Sequence, residues 1–504
     1  MGWRAAAVWA VLFAVYAATI GLHAFGRSDY AGDEPHYLLT AKSLTDDGDI
    51  DLVNQYRSRA YSGFYPYTLD PHGTLTEGRL HEPHGLGFPA LIAPAYGVAG
   101  AKGVELLLAA IAALAIALAY RLALRVVPDP WALGAALAVG LSPPMLAYSS
   151  AVYPELTAAA ALAGAALLAL RVTERATRPA AVGCFALIAA LPWLGIRFAP
   201  AGLVVGGYAY LSLRRARRGL LGLTGVELVA FATAVYVGAN GRLFGGPSPD
   251  SAGGGGTGAE FPLGFVRRAY RLVAVSIDRD FGLLRWAPVL TLAFVGAWLL
   301  VRERRRRLAR AIPTLQAPES AATMCALACA VQLLVAAFVA PTMFGFWFPG
   351  RHLVAVLPLA VPLVAIGLRR LPRVGTALGA AGLIASIWLY AAVRGGSASL
   401  VGDRPRAPLG PLTDVLPLFK EGATLAFVAA ALVGLAITGV AWVALRVPDP
   451  ADPGPGLSLR RISTLREPTS AKRSRARVIS RPPRPGRGGG RPPRRGATGR
   501  RDRP

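Results

Sequence analysis

The apolar residues of this chain gather into blocks of roughly twenty, the length a helix needs to cross a hydrocarbon core of about 30 Å. In hydrocarbon every backbone N–H and C=O has to be satisfied within the segment, so such blocks read as helices. They fall at 5–26, 102–124, 131–150, 155–171, 179–195, 198–213, 219–240, 285–302, 321–343, 352–368, 373–394 and 424–446. The expected fold is all-α, a polytopic integral membrane protein of about twelve transmembrane helices. Composition agrees, with 54% hydrophobic and 16% charged residues, where a soluble chain carries about a quarter charged. The first block is longer than a signal-peptide core and no small-x-small cleavage site follows it, so it reads as an uncleaved helix. Cys184, Cys325 and Cys329 all lie inside apolar blocks and form neither a disulfide framework nor a metal pair.

A net charge of +26 raises nucleic acid as a partner. Its distribution points elsewhere, because the basic residues cluster between apolar blocks and in one terminal tail. Arg121 and Arg125, then Arg171, Arg175 and Arg178, follow the second and fourth blocks. Arg214 to Arg218, Arg302 to Arg310, Arg369 to Arg373 and Arg446 follow the sixth, eighth, tenth and twelfth. Every such cluster follows an even-numbered span, so the positive-inside rule places both termini in the cytoplasm of a plasma-membrane protein. Arg267, Arg268 and Arg271 dissent, in a long outer segment where the rule is weaker. The segment 86–100 is short and holds Pro89 and Pro94, which suits a re-entrant or interfacial helix better than a span. The expected domains are a transmembrane unit over 1–446 and a tail over 447–504. The tail carries 16 Lys/Arg against 4 Asp/Glu and cannot bury a core, so it is expected to be disordered and drawn to anionic lipid headgroups.

The first outer segment, 27–85, is the exceptional one. It has ten acidic residues against five basic, and four of the six histidines: His36, His72, His81 and His84. Connections usually run to only a few residues, so this length calls for either a functional site or a solvated acidic loop. Within GDEPHYLLTAKSLTDDGDIDL, Pro35 suits a first helical turn, and Tyr37, Leu38, Ala41 and Leu44 give an apolar stripe at helical spacing. Asp33 and Glu34 then stand at the start of an interfacial helix. A carboxylate there has two uses, as general base toward a hydroxyl or as favourable charge at a helix N-terminus.

The stretches GDEPHYLL and HEPHGLGFPALIAPAYG resemble the GT-C membrane glycosyltransferases, in particular the protein O-mannosyltransferases and lipid A aminoarabinose transferases. The resemblance implies a GT-C-like fold, a polyprenyl-phosphate-linked sugar as donor, and a protein, lipid or glycan acceptor outside the cytoplasm. It also implies that Asp33 is the catalytic base, with Glu34 beside it. A second acid follows a Ser-Pro motif in the family, which LSPPMLAYSSAVYPEL matches with Ser142, Pro143 and Glu155. The chain departs from the family in having Glu155 where Asp is common, and His81-Glu82-Pro83-His84 where a Lys/His-Pro-Pro-Leu motif is common. His81 or His84 then stands in for the lysine on the lipid phosphate.

A phosphate donor needs cations. Arg351, after Trp347 in GFWFPGRHLVAVLPL, offers a planar fork to phosphate, and Trp347 a face for a sugar. An interfacial aromatic belt with a snorkelling arginine accounts for the same residues. Arg197, Arg279 and Arg285 are further candidates, with Asp278 and Asp280 available to pair with the last two. His81, Glu82 and His84, with Asp33 or His36 nearby, form a weak signal for a divalent metal, and no other cofactor is indicated. The Gly-rich run at 253–256 lacks the Lys-Ser/Thr of a phosphate loop and reads as a linker. The reading is an inverting glycosyltransferase. A transporter or flippase is the alternative, although its ionisable residues would sit near the midplane, where only Glu105 and Glu227 qualify here. A non-catalytic protein of the same fold is a third reading.

Overall fold

The structure is a computed structural model that describes residues 2–73, 75–76, 78–251, 263–309, 317–401 and 416–419, with Gly434 and Gly439. The chain divides into Met1–Val447 and Pro448–Pro504. The expected twelfth span, the basic tail and the Gly-rich run at 253–256 lie outside the described residues.

The described chain is helical apart from one two-residue hairpin, Leu75–Thr76 with Arg79–Leu80. Helix α1 spans Trp3–Ala17, α2 Glu34–Asp46, α3 Val53–Arg57 and α4 Gly87–Ala123. The short pair α5 (Trp131–Gly140) and α6 (Pro143–Ser150) precedes α7 (Glu155–Glu174), α8 (Arg178–Leu194), α9 (Ala199–Arg215) and α10 (Gly219–Phe244). Three short helices follow, α11 (Leu263–Arg267), α12 (Arg271–Ile277) and α13 (Leu283–Trp286). The chain continues through α14 (Thr291–Ala309), α15 (Ala317–Leu334), α16 (Arg351–Val354), α17 (Leu357–Arg370) and α18 (Pro372–Arg394).

Each of the first eleven expected blocks is helical, so the all-α polytopic architecture stands. Among the described residues six helices are long and apolar enough to cross a membrane, and α5 with α6, bent by 59°, make a seventh if taken as one span. The shortfall from the eleven expected blocks that fall on described residues has local causes. Helix α1 stops at Ala17 after 15 residues, about 22 Å at 1.5 Å per residue. The chain then turns through Gly21, whose φ is +78°. Helix α8 has 17 residues, and α17 has 14 with Pro362 inside it. The segment 86–100 adds no span of its own, as the sequence suggested. It is a short helical arm of α4, joined to the span by a kink at Ala99 and Gly100, where Gly100 takes φ +59° and ψ −152°.

Small residues set the packing. In α7, Ala158, Ala159, Ala163, Ala165, Ala166 and Ala169 are all fully buried, and that helix packs on α4, α8 and α9. Lacking long side chains, these faces let helix backbones approach and gain dispersion contact, the main attraction available between helices in lipid. Helices α14 and α17 come closest. A Cβ on Gly296 would meet the Leu363 carbonyl oxygen at 2.1 Å, and one on Gly367 would meet that of Leu292 at 2.4 Å.

The dissenting arginines have a structural explanation. Beyond α15 the chain makes a π-turn at Val335–Val339, leaving carbonyls without helical donors. Arg268 Nη1 donates to the Phe338 and Ala340 oxygens at 3.0 and 3.3 Å. Arg271 donates to Ala340 at 2.8 Å and Pro341 at 3.2 Å. Arg268 and Arg271 thus serve a helix end rather than topology.

Candidate functional site

Four charged side chains from distant parts of the sequence meet at helix ends. Asp33 is the residue before α2, with Pro35 in the first turn as the sequence suggested. Its carboxylate makes no capping bond to that helix. Instead Oδ2 accepts from Arg351 Nη2 at 2.8 Å. Gly32 makes the approach feasible, with φ +58° and a missing Cβ that would lie 2.8 Å from both the Phe346 oxygen and the Tyr153 hydroxyl.

Glu155 is the first residue of α7 and fully buried. Its Oε1 accepts from Arg351 Nε at 2.9 Å and from Arg197 Nη2 at 2.7 Å. Its Oε2 is buried with no hydrogen-bond partner among the described residues, and so is Arg197 Nε. Arg197 stands in the turn Ile196–Phe198 between α8 and α9, and its side chain is 30% exposed.

Arg351 bridges the two acids. It opens α16 after Gly350, which takes φ +89°. Its guanidinium is 4% exposed and lies between the Tyr153 ring at 4.1 Å and the Trp347 ring at 4.8 Å. A buried guanidinium needs compensating charge, and two carboxylates supply it. Burial alone would raise the Asp33 carboxyl. Arg351, with His84 and His72, outweighs it and holds that carboxyl well below the usual carboxylate range. Asp33 is therefore ionised, the form a general base requires.

Glu34 is placed differently. Its Oε1 accepts from the Ala31 N–H at 3.1 Å and its Oε2 from the Val152 N–H at 2.7 Å. Burial pushes its carboxyl up to about 8. Both oxygens are spent on backbone, so Glu34 ties the start of α2 to the α6–α7 junction and is not presented to a substrate. Tyr148 and Tyr153 reinforce that junction, donating to the Phe348 oxygen at 2.5 Å and to the Ala31 oxygen at 2.9 Å. Neither tyrosine was singled out in the sequence, where each reads as one more aromatic at a membrane surface.

The histidine segment divides. His84 faces His72, with Nε2 and Nδ1 3.4 Å apart, and both lie near Asp33. Burial lowers both imidazoles, His84 to about 4, so both are neutral near pH 7. Glu82 turns the other way, within 3.2 Å of His36 Nδ1 and bonded to the Tyr56 hydroxyl. The Glu82 oxygens also accept the His72 N–H at 3.2 and 3.3 Å. His81 joins neither group, its ring lying against Phe244 with centroids 6.2 Å apart. The triplet His81, Glu82 and His84 is thus corrected as a metal set, because the chain turns between Glu82 and His84, where the His84 N–H donates to the Glu82 carbonyl at 2.7 Å, and the three side chains diverge. His72 takes the place expected for His81. The signal was present in the sequence, since His72 is one of the four clustered histidines.

Two other expected cations lie elsewhere. Arg279 Nε donates to the Leu416 oxygen at 3.3 Å, and Arg285 Nη1 donates to the Arg279 oxygen. Asp278 accepts backbone N–H groups from Asp280 and Phe281 at 2.9 Å and from Phe419 at 3.0 Å. Arg285 lies 4.0 Å from Asp280. This region is a second polar knot outside the Arg351 cluster.

No protein-family model matches the chain, and no curated protein matches it. Among solved structures it is similar to ArnT from Cupriavidus metallidurans bound to undecaprenyl phosphate, at 16% identity and a TM-score of 0.46, over 88% of this chain and 73% of that one. The apo form of the same protein overlaps at 17% identity and a TM-score of 0.44, with the same coverage. The archaeal oligosaccharyltransferase AglB from Archaeoglobus fulgidus, in complex with an inhibitory peptide and a dolichol-phosphate, overlaps at 13% identity and a TM-score of 0.41. That match covers 80% of this chain and 56% of that one. The loop motifs pointed to a likeness of this kind, and at these overlaps the weight rests on the helices and the site itself. On that footing the chain is a polytopic, all-α membrane protein, similar to solved ArnT and AglB.

Proposed function

We propose that this protein is a membrane glycosyltransferase that moves a sugar from a polyprenyl-phosphate donor to a hydroxyl acceptor on the extracytoplasmic side, with inversion. One observation carries the reading: Arg351 joins Asp33 and Glu155 from 318 and 196 residues away, beside the rings of Tyr153 and Trp347. An ionised carboxylate, cations and an aromatic face in one place are what such a transfer needs.

Asp33 takes the acceptor proton as the hydroxyl oxygen attacks the anomeric carbon. The bond to the phosphate oxygen breaks, and the lipid phosphate leaves as an anion. Arg197, whose Nε has no partner among the described residues, meets that anion as its charge develops. Glu155 Oε2, the buried unpartnered oxygen, accepts from a second donor hydrogen and so orients acceptor or sugar. An apolar groove of about 210 Å³ between α14, α15 and α17 includes Leu353, two residues from Arg351, and suits the near end of a prenyl chain. The charge pattern of the sequence puts this end of the helices outside and both termini inside.

Asp33→Asn keeps the shape and removes the base. Purified protein supplied with polyprenyl-phosphate sugars should lose about 10²–10⁴-fold in transfer rate. Its thermal unfolding should stay near that of the parent. Parental activity in the variant sinks the assignment.

A further inference from the structure

We propose that Tyr65, Tyr67, Phe25 and Phe346 form a docking surface for a carbohydrate acceptor beside Asp33. That the docked sugar is then glycosylated rests on the function proposed above; that it docks rests on these rings and their surroundings.

The four rings come from three loops and touch in series. Tyr65 meets Tyr67 with centroids 5.7 Å apart, Tyr67 meets Phe25 at 6.2 Å, and Phe25 meets Phe346 at 6.3 Å. Phe346 is 64% exposed, Phe25 40% and Tyr67 38%. Joined rings that stay this open form an apolar patch of the kind that marks an interaction site. None of the four lies in a helix, whereas an aromatic belt is carried on the ends of spans.

Their positions are fixed in advance. Phe25 pairs with Ser28 across a tight turn in which Gly26 takes φ +55°. The Arg27 N–H of that turn donates to the Tyr67 hydroxyl at 2.9 Å. The Leu400 and Val401 N–H groups hold its base, donating to the His23 and Ala24 oxygens at 3.2 and 2.8 Å. Phe346 is tied to the reaction site, because its carbonyl oxygen would lie 2.8 Å from a Cβ on Gly32, the residue before Asp33. A surface set before its ligand arrives spends little binding energy on ordering.

The chemistry selects a sugar. A sugar ring has faces of C–H groups, whose slight positive charge favours the negative face of an aromatic ring. It also has an edge of hydroxyls that need hydrogen-bond partners when water is displaced. The planes on either side of Phe25 are inclined by 62° and 81°, so a sugar laid on one ring has another beside it. Polar partners stand on the same turn. Asp29 is held by His23 and by Lys102, both at 2.7 Å, and those two side chains are about half exposed. A lipid tail would meet the rings and leave these groups unused. Position selects acceptor over donor, since the apolar groove assigned to the prenyl chain shares no lining residue with this surface.

The test is saturation-transfer NMR on the full-length protein in detergent, without any sugar donor. The probes are hexasaccharides of glucose, mannose, galactose and arabinose, with a Ser/Thr-rich peptide as the rival acceptor. At least one hexasaccharide should bind, with the strongest transfer to the C–H groups of one ring face. Phe346→Leu and Tyr67→Leu keep apolar bulk and lose the ring, and each should weaken affinity about fivefold. Phe346→Trp should bind at least as tightly as the parent. Phe231→Leu, at an exposed ring on α10, should leave affinity unchanged. A parent that binds no hexasaccharide overturns the proposal, as do leucine variants that bind as the parent does, or a peptide that binds in the sugars' place. Sugar binding by a protein that transfers nothing overturns the glycosyltransferase reading alone; transfer by a protein that binds no hexasaccharide overturns this surface alone.

Discussion

Two groups of arginines sit between helices in this protein, and they end on different chemistry. Arg351 and Arg197 end on carboxylates, Asp33 and Glu155. Arg268, Arg271 and Arg279 each donate to backbone carbonyl oxygens, and for the first two these lie beyond α15. A carbonyl that has lost its helical donor needs a partner to keep the fold, and the arginine's charge is incidental to that. A carboxylate paired with arginine stays ionised, so the pairing sets a protonation state as well as a position. The first group therefore sets the protonation of a carboxylate, while Arg268 and Arg271 satisfy carbonyls beyond α15.

Substitutions should separate the groups. Arg351→Ala leaves two carboxylates without their shared cation, one of them fully buried. It should cost about 3–5 kcal/mol of stability by denaturant or thermal unfolding, and abolish transfer in whatever protein remains folded. Arg351→Lys keeps the charge and loses the fork, so it should recover part of the stability and little of the activity. Arg197→Ala should raise the donor KM about 10–100-fold, the value of a hydrogen bond to a charged group, with much less effect on unfolding. An unchanged KM would move Arg197 into the carbonyl-bound group. Arg271→Ala should cost about 1 kcal/mol of stability and leave the transfer rate of folded protein unchanged. Loss of transfer there would erase the distinction.

Most of the fold was legible because hydrophobic blocks mark helices in a membrane protein, and each of the first eleven blocks is helical. Helix lengths were less legible. The end of α1 at Ala17 and the kink at Gly100 follow from local backbone conformations inside apolar runs that hydropathy averages over. In the site, Asp33, Glu155 and Arg351 were named from the sequence, and the structure brings them together with Arg197. Glu34, next to Asp33, differs in orientation alone, since one residue of helix turns a side chain by about 100°. His81 and His84 differ because the chain turns between them. Arginine partners were the least legible feature. A sequence shows where positive charge lies, but whether Arg271 meets a carboxylate or a carbonyl depends on which distant segment folds against it.

The separation of 318 positions from Asp33 to Arg351 also sets a clock. At about 5–20 residues per second, Asp33 leaves the ribosome roughly 15–60 s before its cation exists. During that interval the first loop is complete, histidines included, while Asp33 has no guanidinium beside it and Glu155 has that of Arg197 alone. On the function proposed above, the growing chain would be inactive until then. The cluster closes only when the loop before α16 arrives, so the last helices to be made complete a site begun in the first loop.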